Sequence, residues 1–283
     1  MNFNDDISLF NTKYSFTNIN VTGGTFRYLL AGNINSNQTL VFLNGGTNCA
    51  DMWFKYVEAL SKEYKVLLFD YSLDFTNNQT QITAMHELFT KLNIEKPIFI
   101  GASFGGLMAQ IYTQKYLSEV GGLVLLSTAA LSEYTIKKLK HKKIFIPLLL
   151  WVISHFNYDK LKIKLIKSTM SYVKNESEEI QNYCYDMFTY VFNDYTAEKD
   201  YHITSLLADI FTQQYVTKDT FSCLKDKILL MLPKKDYFTP DMQKDFIQIM
   251  NNPRVEYVDG GHIATVLYVE QYLKVIRSFL EAL

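Results

Sequence analysis

Ser103 is the residue of this chain that its neighbours best equip to act as a nucleophile. It lies in the run Gly-Ala-Ser-Phe-Gly-Gly at 101–106, directly after the apolar run at 97–100. A short buried strand that turns at once into a helix holds such a serine on a tight bend, and its flanking glycines avoid collisions with both elements. Because the five-residue pattern is common by chance, the prediction of a catalytic serine depends on suitable partners elsewhere in the chain.

A serine hydroxyl is a weak nucleophile at neutral pH, so it needs a histidine base and a carboxylate that orients the histidine. His262 follows Val-Asp-Gly-Gly at 258–261, between the last predicted strand and the last predicted helix. Asp236 follows the preceding predicted strand. The chain therefore supplies a serine, an aspartate and a histidine in that order, each after a strand, and predicts a triad of Ser103, Asp236 and His262.

Other residues compete for the roles of base and acid. Asp241 lies in the first turn of a predicted helix, where the helix dipole favours an acid without a catalytic role. Asp259 is so close to His262 in sequence that pairing would need a contorted loop. Asp236 itself has an alternative role as a turn or cap residue before the helix near Thr239. The other histidines lie in a predicted helix or in a segment without strands, and are expected to be structural: His86, His141, His155 and His202.

An oxyanion hole needs two backbone N–H donors, and removing one such donor typically lowers turnover by about 100- to 1000-fold. Phe104, directly after the serine, is predicted to supply one donor. Gly46, in the run Asn-Gly-Gly-Thr at 44–47, is predicted to supply the other, with Gly45 or Thr47 as alternatives one residue away. The alternative for this run is an ordinary Gly-Gly turn that leads into a helix.

Short apolar runs alternate with helical patterns and predict an α/β fold. The runs are largely apolar without alternation, as expected for strands covered on both faces by helices. The first two are joined by a turn too short for a crossover and are predicted to form an antiparallel hairpin. We expect an eight-stranded, mostly parallel sheet, with strands near 12–20, 24–31, 39–43, 65–70, 97–101, 122–127, 227–232 and 254–258. Helices are predicted near 50–61, 79–92, 107–117 and 264–282.

The alternation stops between 130 and 218, a helix-rich stretch with no convincing strand. We predict a helical cap at 130–218, inserted into a core formed by residues 1–129 and 219–283.

Together these motifs resemble the α/β-hydrolase superfamily, in its capped branch, across residues 12–282. The resemblance implies a nucleophile elbow with Ser103 as nucleophile, His262 as base and then acid, Asp236 as the orienting acid, and Gly46 and Phe104 in the oxyanion hole. Two segments depart from the family pattern. The loop after the third strand begins Asn44-Gly45 instead of His-Gly, and the segment Asp70–Phe75 has no glycine.

The cap is predicted to shape an apolar pocket, with Trp151 and Phe238 as candidate substrate-binding residues. Residues 137–153 join a lysine-rich run to ten apolar residues, too few to span a bilayer. One interpretation is a cap helix that starts near Pro147 and lines the pocket, with solvated lysines outside. The alternative is peripheral contact with an anionic membrane surface.

The composition supports a folded protein without an evident cofactor. The chain has 283 residues, 48% hydrophobic and 20% charged, with a net charge of −1. Three widely spaced cysteines and a polar first segment predict a cytoplasmic protein. We expect no metal, no cofactor and no nucleic-acid partner, and the sequence leaves the oligomeric state open.

The expected function is hydrolysis of a small-to-medium apolar ester or thioester through an acyl-enzyme on Ser103. The same triad also fits an acyltransferase, an aminopeptidase, or a C–C hydrolase or lyase. A hypothesis of another class is a ligand-binding protein that keeps the fold without turnover.

Overall fold

A computed structural model describes residues 2–251 and 253–283, and its centre is an eight-stranded sheet. The strand order is β1-β2-β4-β3-β5-β6-β7-β8. β1 and β2 form an antiparallel hairpin, β2 also runs antiparallel to β4, and all further neighbours are parallel. The predicted α/β fold is confirmed. The strands are β1 (Thr17–Val21), β2 (Gly24–Gly32), β3 (Thr39–Leu43), β4 (Lys65–Phe69), β5 (Ile98–Ala102), β6 (Gly122–Leu126), β7 (Ile228–Pro233) and β8 (Arg254–Val258).

Twelve α-helices accompany the sheet among the described residues. Before the cap they are α1 (Phe3–Lys13), α2 (Phe54–Leu60), α3 (Asn78–Lys91) and α4 (Phe104–Lys115). Within residues 130–218 they are α5 (Glu133–Lys143), α6 (Ile146–His155), α7 (Tyr158–Met170), α8 (Glu178–Asn193) and α9 (Ala197–Asp209). After the cap they are α10 (Pro240–Ile249), α11 (Ala264–Leu267) and α12 (Val269–Leu280).

Both faces of the sheet are buried, because successive side chains of each central strand enter two different cores. On β3, Val41 and Leu43 join a core that includes side chains of α3, α4 and α9. Leu40 and Phe42 join the opposite core, with side chains of α1, α2, α8 and α12. The uninterrupted apolar runs of the central strands follow from this two-sided cover.

The N-terminal segment differs from the sequence prediction. A strand was expected near 12–20, but residues 3–13 form α1 and β1 begins only at Thr17. The Asn2 side chain caps α1 by accepting hydrogen bonds from the backbone N–H groups of Asn4 and Asp5. Phe3, Ile7 and Phe10 lie on one face of the helix and are buried. Phe3 packs edge-on against Tyr183, so α1 is held by contacts with α8.

The region between β6 and β7 contains helices and no strand, over the whole of the described segment 130–218. α6 begins at Ile146 with Pro147 in its first turn, as the cap-helix interpretation expected. α7 packs beside α8, and α6 packs beside α9. Residues of α5, α6, α8 and α9 line cavities beside Ser103, which follows the carboxyl end of β5.

Candidate active site

Ser103 occupies a bend between β5 and α4 that few residues other than glycine adopt. Its backbone angles are φ +52° and ψ −117°, and its N–H donates to the Leu126 carbonyl over 3.0 Å. A Cβ on Gly101 would lie 2.5 Å from the Gly105 carbonyl oxygen, and a Cβ on Gly105 would lie 2.1 Å from the Leu43 carbonyl oxygen. Both flanking glycines are therefore required by direct backbone approach, and Ser103 is held in a strained conformation that is common at functional sites.

Consecutive hydrogen bonds connect the side chains of Asp236, His262 and Ser103. The His262 Nε2 atom lies 2.8 Å from the Ser103 Oγ atom. On the other side of the ring, Nδ1 lies 3.0 Å and 3.2 Å from the two carboxylate oxygens of Asp236. The side chains of His262 and Asp236 are 14% and 1% exposed. Because an ionised carboxylate only accepts, the neutral ring carries its proton on Nδ1, and Nε2 is free to accept the serine proton.

The competing acids and histidines lie elsewhere. Asp241 is exposed in the first turn of α10, whose N-terminus is capped by the Thr239 side chain. Asp259 forms an ion pair of 2.7 Å with Lys234. His86 stacks on Tyr116, and the ring of His202 is buried with Nε2 2.7 Å from the Phe75 carbonyl oxygen. Burial lowers the pKa of His202, so that this histidine is neutral at neutral pH.

The loop after β3 places the glycine run beside the serine. Gly45 and Gly46 both line a cavity with Ser103 and His262. A Cβ on Gly45 would lie 3.8 Å from the Ser103 Cβ atom, and a Cβ on Gly46 would meet no atom within 4 Å. Phe104, the other predicted donor, is the first residue of α4, where backbone N–H groups have no partner within the helix. The two predicted donors thus lie in two different elements next to the serine, the loop after β3 and the first turn of α4.

Asn44, which stands where the family pattern has histidine, holds this loop in place. Its side chain is buried, donates to the Phe69 carbonyl over 2.8 Å, and accepts from the Trp53 indole N–H over 3.1 Å. Asn48, at φ +45°, pairs its side-chain amide with the backbone of Tyr71 at 2.7 Å and 2.9 Å. The backbone at the end of β4 and directly after it therefore holds both asparagines of the loop after β3 by hydrogen bonds.

A charged cluster adjoins that loop. Arg27 pairs with Asp51 at 2.9 Å and with Asp70 at 2.8 Å, and Asp70 also accepts from the Ala50 N–H over 2.8 Å. Burial raises the pKa of Asp70, while the Arg27 guanidinium opposes that rise. The Tyr190 hydroxyl of α8 donates to Asp51 over 3.2 Å. The cluster links β2, β4 and the first turn after the loop to the cap.

Tyr237 was not predicted as a site residue. Its hydroxyl lies 3.2 Å from the His262 Nε2 atom, the same nitrogen that contacts Ser103. Desolvation of the hydroxyl raises the pKa of Tyr237 and a hydrogen bond with the Ser103 side chain opposes that rise. The hydroxyl carries a proton at neutral pH, as that of a tyrosine ordinarily does. Its position directly after Asp236 is the only sequence signal that could have suggested it.

A larger apolar cavity of about 270 Å³ begins at Ser103 and runs under α5, α6 and α9. Phe238, a predicted substrate-binding residue, lies in its wall beside Tyr237. From α6 the wall includes Ile146 and Leu149. Trp151, the other predicted substrate-binding residue, does not reach this wall. It is 51% exposed and stacks on His155, because it lies on the outer side of α6.

A smaller cavity of about 180 Å³ lies on the other side of Ser103. His262 and Gly46 line it, together with Met187 and Phe188 of α8. The Tyr195 hydroxyl, just beyond α8, donates to the Gly46 carbonyl over 3.2 Å. Ser103 thus has an apolar space on each side, one next to Phe104 and one next to His262.

Among residues 2–251 and 253–283, no group of three or more histidine, cysteine or acidic side chains is arranged to hold a metal ion. No described helix has the length and apolar character needed to cross a membrane.

Residues 38–266 match the sequence profile of the alpha/beta hydrolase fold family. The chain belongs to the α/β-hydrolase family. It is 25% identical over 285 residues to the proline iminopeptidase PfmaB of Pestalotiopsis fici. The matched region covers 93% of this chain and 98% of that relative. Over a shorter region, this α/β hydrolase is 28% identical to monoacylglycerol lipase ABHD6 of Homo sapiens. That region covers 39% of this chain and 36% of the lipase.

Solved structures confirm the fold of this α/β hydrolase at low sequence identity. The enol-lactonase of Burkholderia xenovorans LB400 superposes with a TM-score of 0.74 at 18% identity, over 94% of this chain and 100% of that one. A thermophilic esterase of Thermogutta terrifontis superposes with a TM-score of 0.70 at 16% identity, over 95% of this chain and 98% of the esterase.

Proposed function

We propose that this α/β hydrolase cleaves a small-to-medium apolar ester or thioester through an acyl-enzyme on Ser103. The observation that carries the proposal is the continuous line of hydrogen bonds from Asp236 through His262 to the Ser103 Oγ atom, which opens onto two apolar cavities.

Each residue has a distinct role in the proposed reaction. The Ser103 Oγ atom attacks the carbonyl carbon as its proton passes to the His262 Nε2 atom, and Asp236 stabilises the imidazolium that forms. The backbone N–H groups of Phe104 and Gly46 stabilise the oxyanion. Collapse of the tetrahedral intermediate breaks the bond to the alcohol or thiol, which takes the proton from Nε2. Water then attacks the acyl-enzyme by the same route and regenerates Ser103.

The position of His262 supports an assignment of the two cavities to the two parts of the substrate. The leaving group has to receive its proton from the Nε2 atom, and His262 lines only the smaller cavity. We therefore place the leaving group in the smaller cavity and the acyl chain in the larger one. The side chains around the larger cavity are mainly apolar, which favours a hydrocarbon chain over a polar acid.

An aminopeptidase is the second candidate, because the relative that covers almost the whole chain is a proline iminopeptidase. Such an enzyme has to accommodate a free ammonium group close to the scissile bond. Among the described residues that line either cavity, no side chain is a carboxylate. Burial of an unpaired ammonium in an apolar site is strongly unfavourable, so the wall chemistry favours the neutral ester.

The test combines covalent labelling with two substrates. We expect a fluorophosphonate probe to label Ser103, and we expect turnover of p-nitrophenyl butyrate but not of proline p-nitroanilide. Ser103→Ala should abolish both labelling and ester turnover. A folded wild-type protein that is not labelled would support the ligand-binding hypothesis, and turnover of the anilide with little ester turnover would support the aminopeptidase.

A further inference from the structure

Helix α6 is apolar along nearly its whole length and is nevertheless mostly exposed. Of its ten residues only Ser154 and His155 are polar, and only Ile153 is buried. Large apolar side chains on α6 and next to it are 51% to 76% exposed: Ile144, Phe145, Leu148, Trp151, Phe156 and Ile163. We call these six residues the apolar ridge. Trp151 and Phe156 of this set are in ring contact, and a group of large exposed apolar side chains on a folded protein normally marks an interaction site.

Lysines surround the apolar ridge on both sides. They are exposed at the end of α5 and along α7: Lys138, Lys140, Lys142, Lys143, Lys160, Lys164 and Lys167. Between residues 131 and 174 the chain has ten lysines and two acidic residues, a net charge of +8 in a protein whose total is −1. One of those acids, Glu133, is paired with Lys137 at 2.7 Å. Within this stretch of the sequence the positive charge is therefore almost uncompensated.

We propose that the apolar ridge and its flanking lysines bind the surface of an anionic lipid bilayer. Apolar side chains would enter the boundary between headgroups and acyl chains, while the lysines contact the negatively charged headgroups. An acidic protein or a nucleic acid would pair with the lysines but would leave the ridge in water. A second copy of this chain would bring one set of lysines against another. The bilayer is the partner that satisfies both the charge and the apolar surface.

The larger cavity opens at the same face. Lys142, Ile146 and Leu149 line that cavity, and Lys142 and Leu149 are also exposed beside the ridge. A docked protein would therefore have the mouth of its cavity next to the lipid, and an acyl chain could pass from the bilayer toward Ser103 with little contact with water. This route rests on the proposed ester hydrolysis, whereas the docking itself does not.

Vesicle flotation of the full chain tests the docking. We expect the protein to float with phosphatidylcholine vesicles that contain about 30% phosphatidylserine and to stay unbound with phosphatidylcholine alone. Phe145→Ser with Leu148→Ser removes two ridge side chains that do not line the cavity, and should weaken binding roughly 100-fold. Lys138→Glu with Lys140→Glu and Lys164→Glu should weaken it by roughly 100-fold or more.

Matched controls replace equivalent residues elsewhere. Ile34 is an exposed apolar residue of another part of the chain, and Lys62, Lys218 and Lys244 are exposed lysines outside residues 131–174. Ile34→Ser and the triple exchange of those lysines for glutamate should leave flotation unchanged. All ridge and lysine variants should hydrolyse a soluble short-chain ester at the wild-type rate, which shows that the fold is intact.

The outcomes separate docking from catalysis. Ser103→Ala should float like the wild type, so docking stands even if no ester is hydrolysed. Absence of flotation at low salt, or equal binding to neutral and anionic vesicles, would overturn the proposal. So would a dimer in vesicle-free solution that Phe145→Ser with Leu148→Ser dissociates, because the ridge would then be an interface between copies of this chain.

Discussion

The Tyr237 hydroxyl and the Ser103 hydroxyl share one acceptor, the Nε2 atom of His262. The Tyr237 oxygen lies 3.2 Å and the Ser103 oxygen 2.8 Å from that nitrogen. With the ring proton held on Nδ1 by Asp236, Nε2 has a single lone pair, so the two hydroxyls compete for it. We therefore expect Tyr237 to weaken the contact between Ser103 and His262 for as long as no substrate is bound.

Tyr237→Phe is expected to speed up the reaction of Ser103 with a fluorophosphonate probe. A hydrogen bond of this kind contributes about 1 kcal/mol, so its removal should accelerate labelling about fivefold. Labelling rates measured by mass spectrometry test this expectation. A slower rate in the variant would mean that the hydroxyl assists the reaction.

Asp236→Asn is expected to lower kcat for ester hydrolysis by about 10⁴-fold, because asparagine favours the wrong tautomer of the histidine. Asp241→Asn is the matched control, since Asp241 is exposed in the first turn of α10. It should retain nearly full activity. Initial rates with p-nitrophenyl butyrate compare the two, and the opposite ranking would reassign the acid to Asp241.

Asn44→Ala is expected to lower the free energy of unfolding by about 2 kcal/mol, because the Trp53 indole N–H and the Phe69 carbonyl lose a buried partner. Urea denaturation measures the change. Asn35→Ala, in an exposed turn, should alter stability by less than about 0.5 kcal/mol. Equal stabilities of the two variants would show that the Asn44 contacts do not stabilise the fold.

The three cysteines are expected to differ in their reaction with a thiol reagent. Burial, reinforced by Asp51 and Asp70, raises the pKa of Cys49 to about 12, and burial raises that of Cys184 to about 11. Both are therefore neutral thiols at pH 8, and only the thiolate reacts. Cys223 is exposed and should react alone. Ellman's reagent should titrate one thiol in the native protein and three in denaturant, and Cys223→Ser should remove the native signal. Fast labelling of Cys49 would contradict its raised pKa.

The assignment of the two cavities is tested by filling each with tryptophan. Leu207→Trp narrows the larger cavity, and Val266→Trp narrows the smaller one. The first should reduce kcat/KM for p-nitrophenyl octanoate about 10-fold or more, while that for the butyrate ester changes little. Val266→Trp should instead reduce kcat/KM for esters with bulky alcohols. An exchanged pattern would mean that acyl chain and leaving group occupy the opposite cavities.

The sequence predicted the elements that are buried on both faces. The strands at 39–43 and 254–258 have the predicted bounds, β4 and β6 end one residue earlier than predicted, and β5 and β7 are shifted by one residue. The contacts of the proposed triad were also expected, because each member follows a strand and parallel strands end at one edge of the sheet. The turn at 101–106 was predictable because its glycines meet backbone atoms directly.

The remaining features depend on tertiary contacts. α1 was not predicted: Phe3, Ile7 and Phe10 have the spacing of a helix face, but the helix is short and its apolar partners lie on α2 and α8. The orientation of Trp151 was not predictable, since α6 is apolar on all sides and its periodicity does not indicate an inner face. Tyr237 reaches His262 only through the conformation of the loop between β7 and α10.

The contacts of α8 beside the smaller cavity restrict the size of the alcohol part of a substrate more than α6 restricts the size of the acid part. A bulky group in the smaller cavity would push against Met187 and Phe188 of α8, and Tyr195, just beyond that helix, donates to the Gly46 carbonyl of the loop that is proposed to hold the oxyanion. A bulky group in the larger cavity meets α6, which has a single buried residue and a solvent-exposed outer side. The enzyme should therefore be tolerant toward the acid portion of its substrates and strict toward the alcohol.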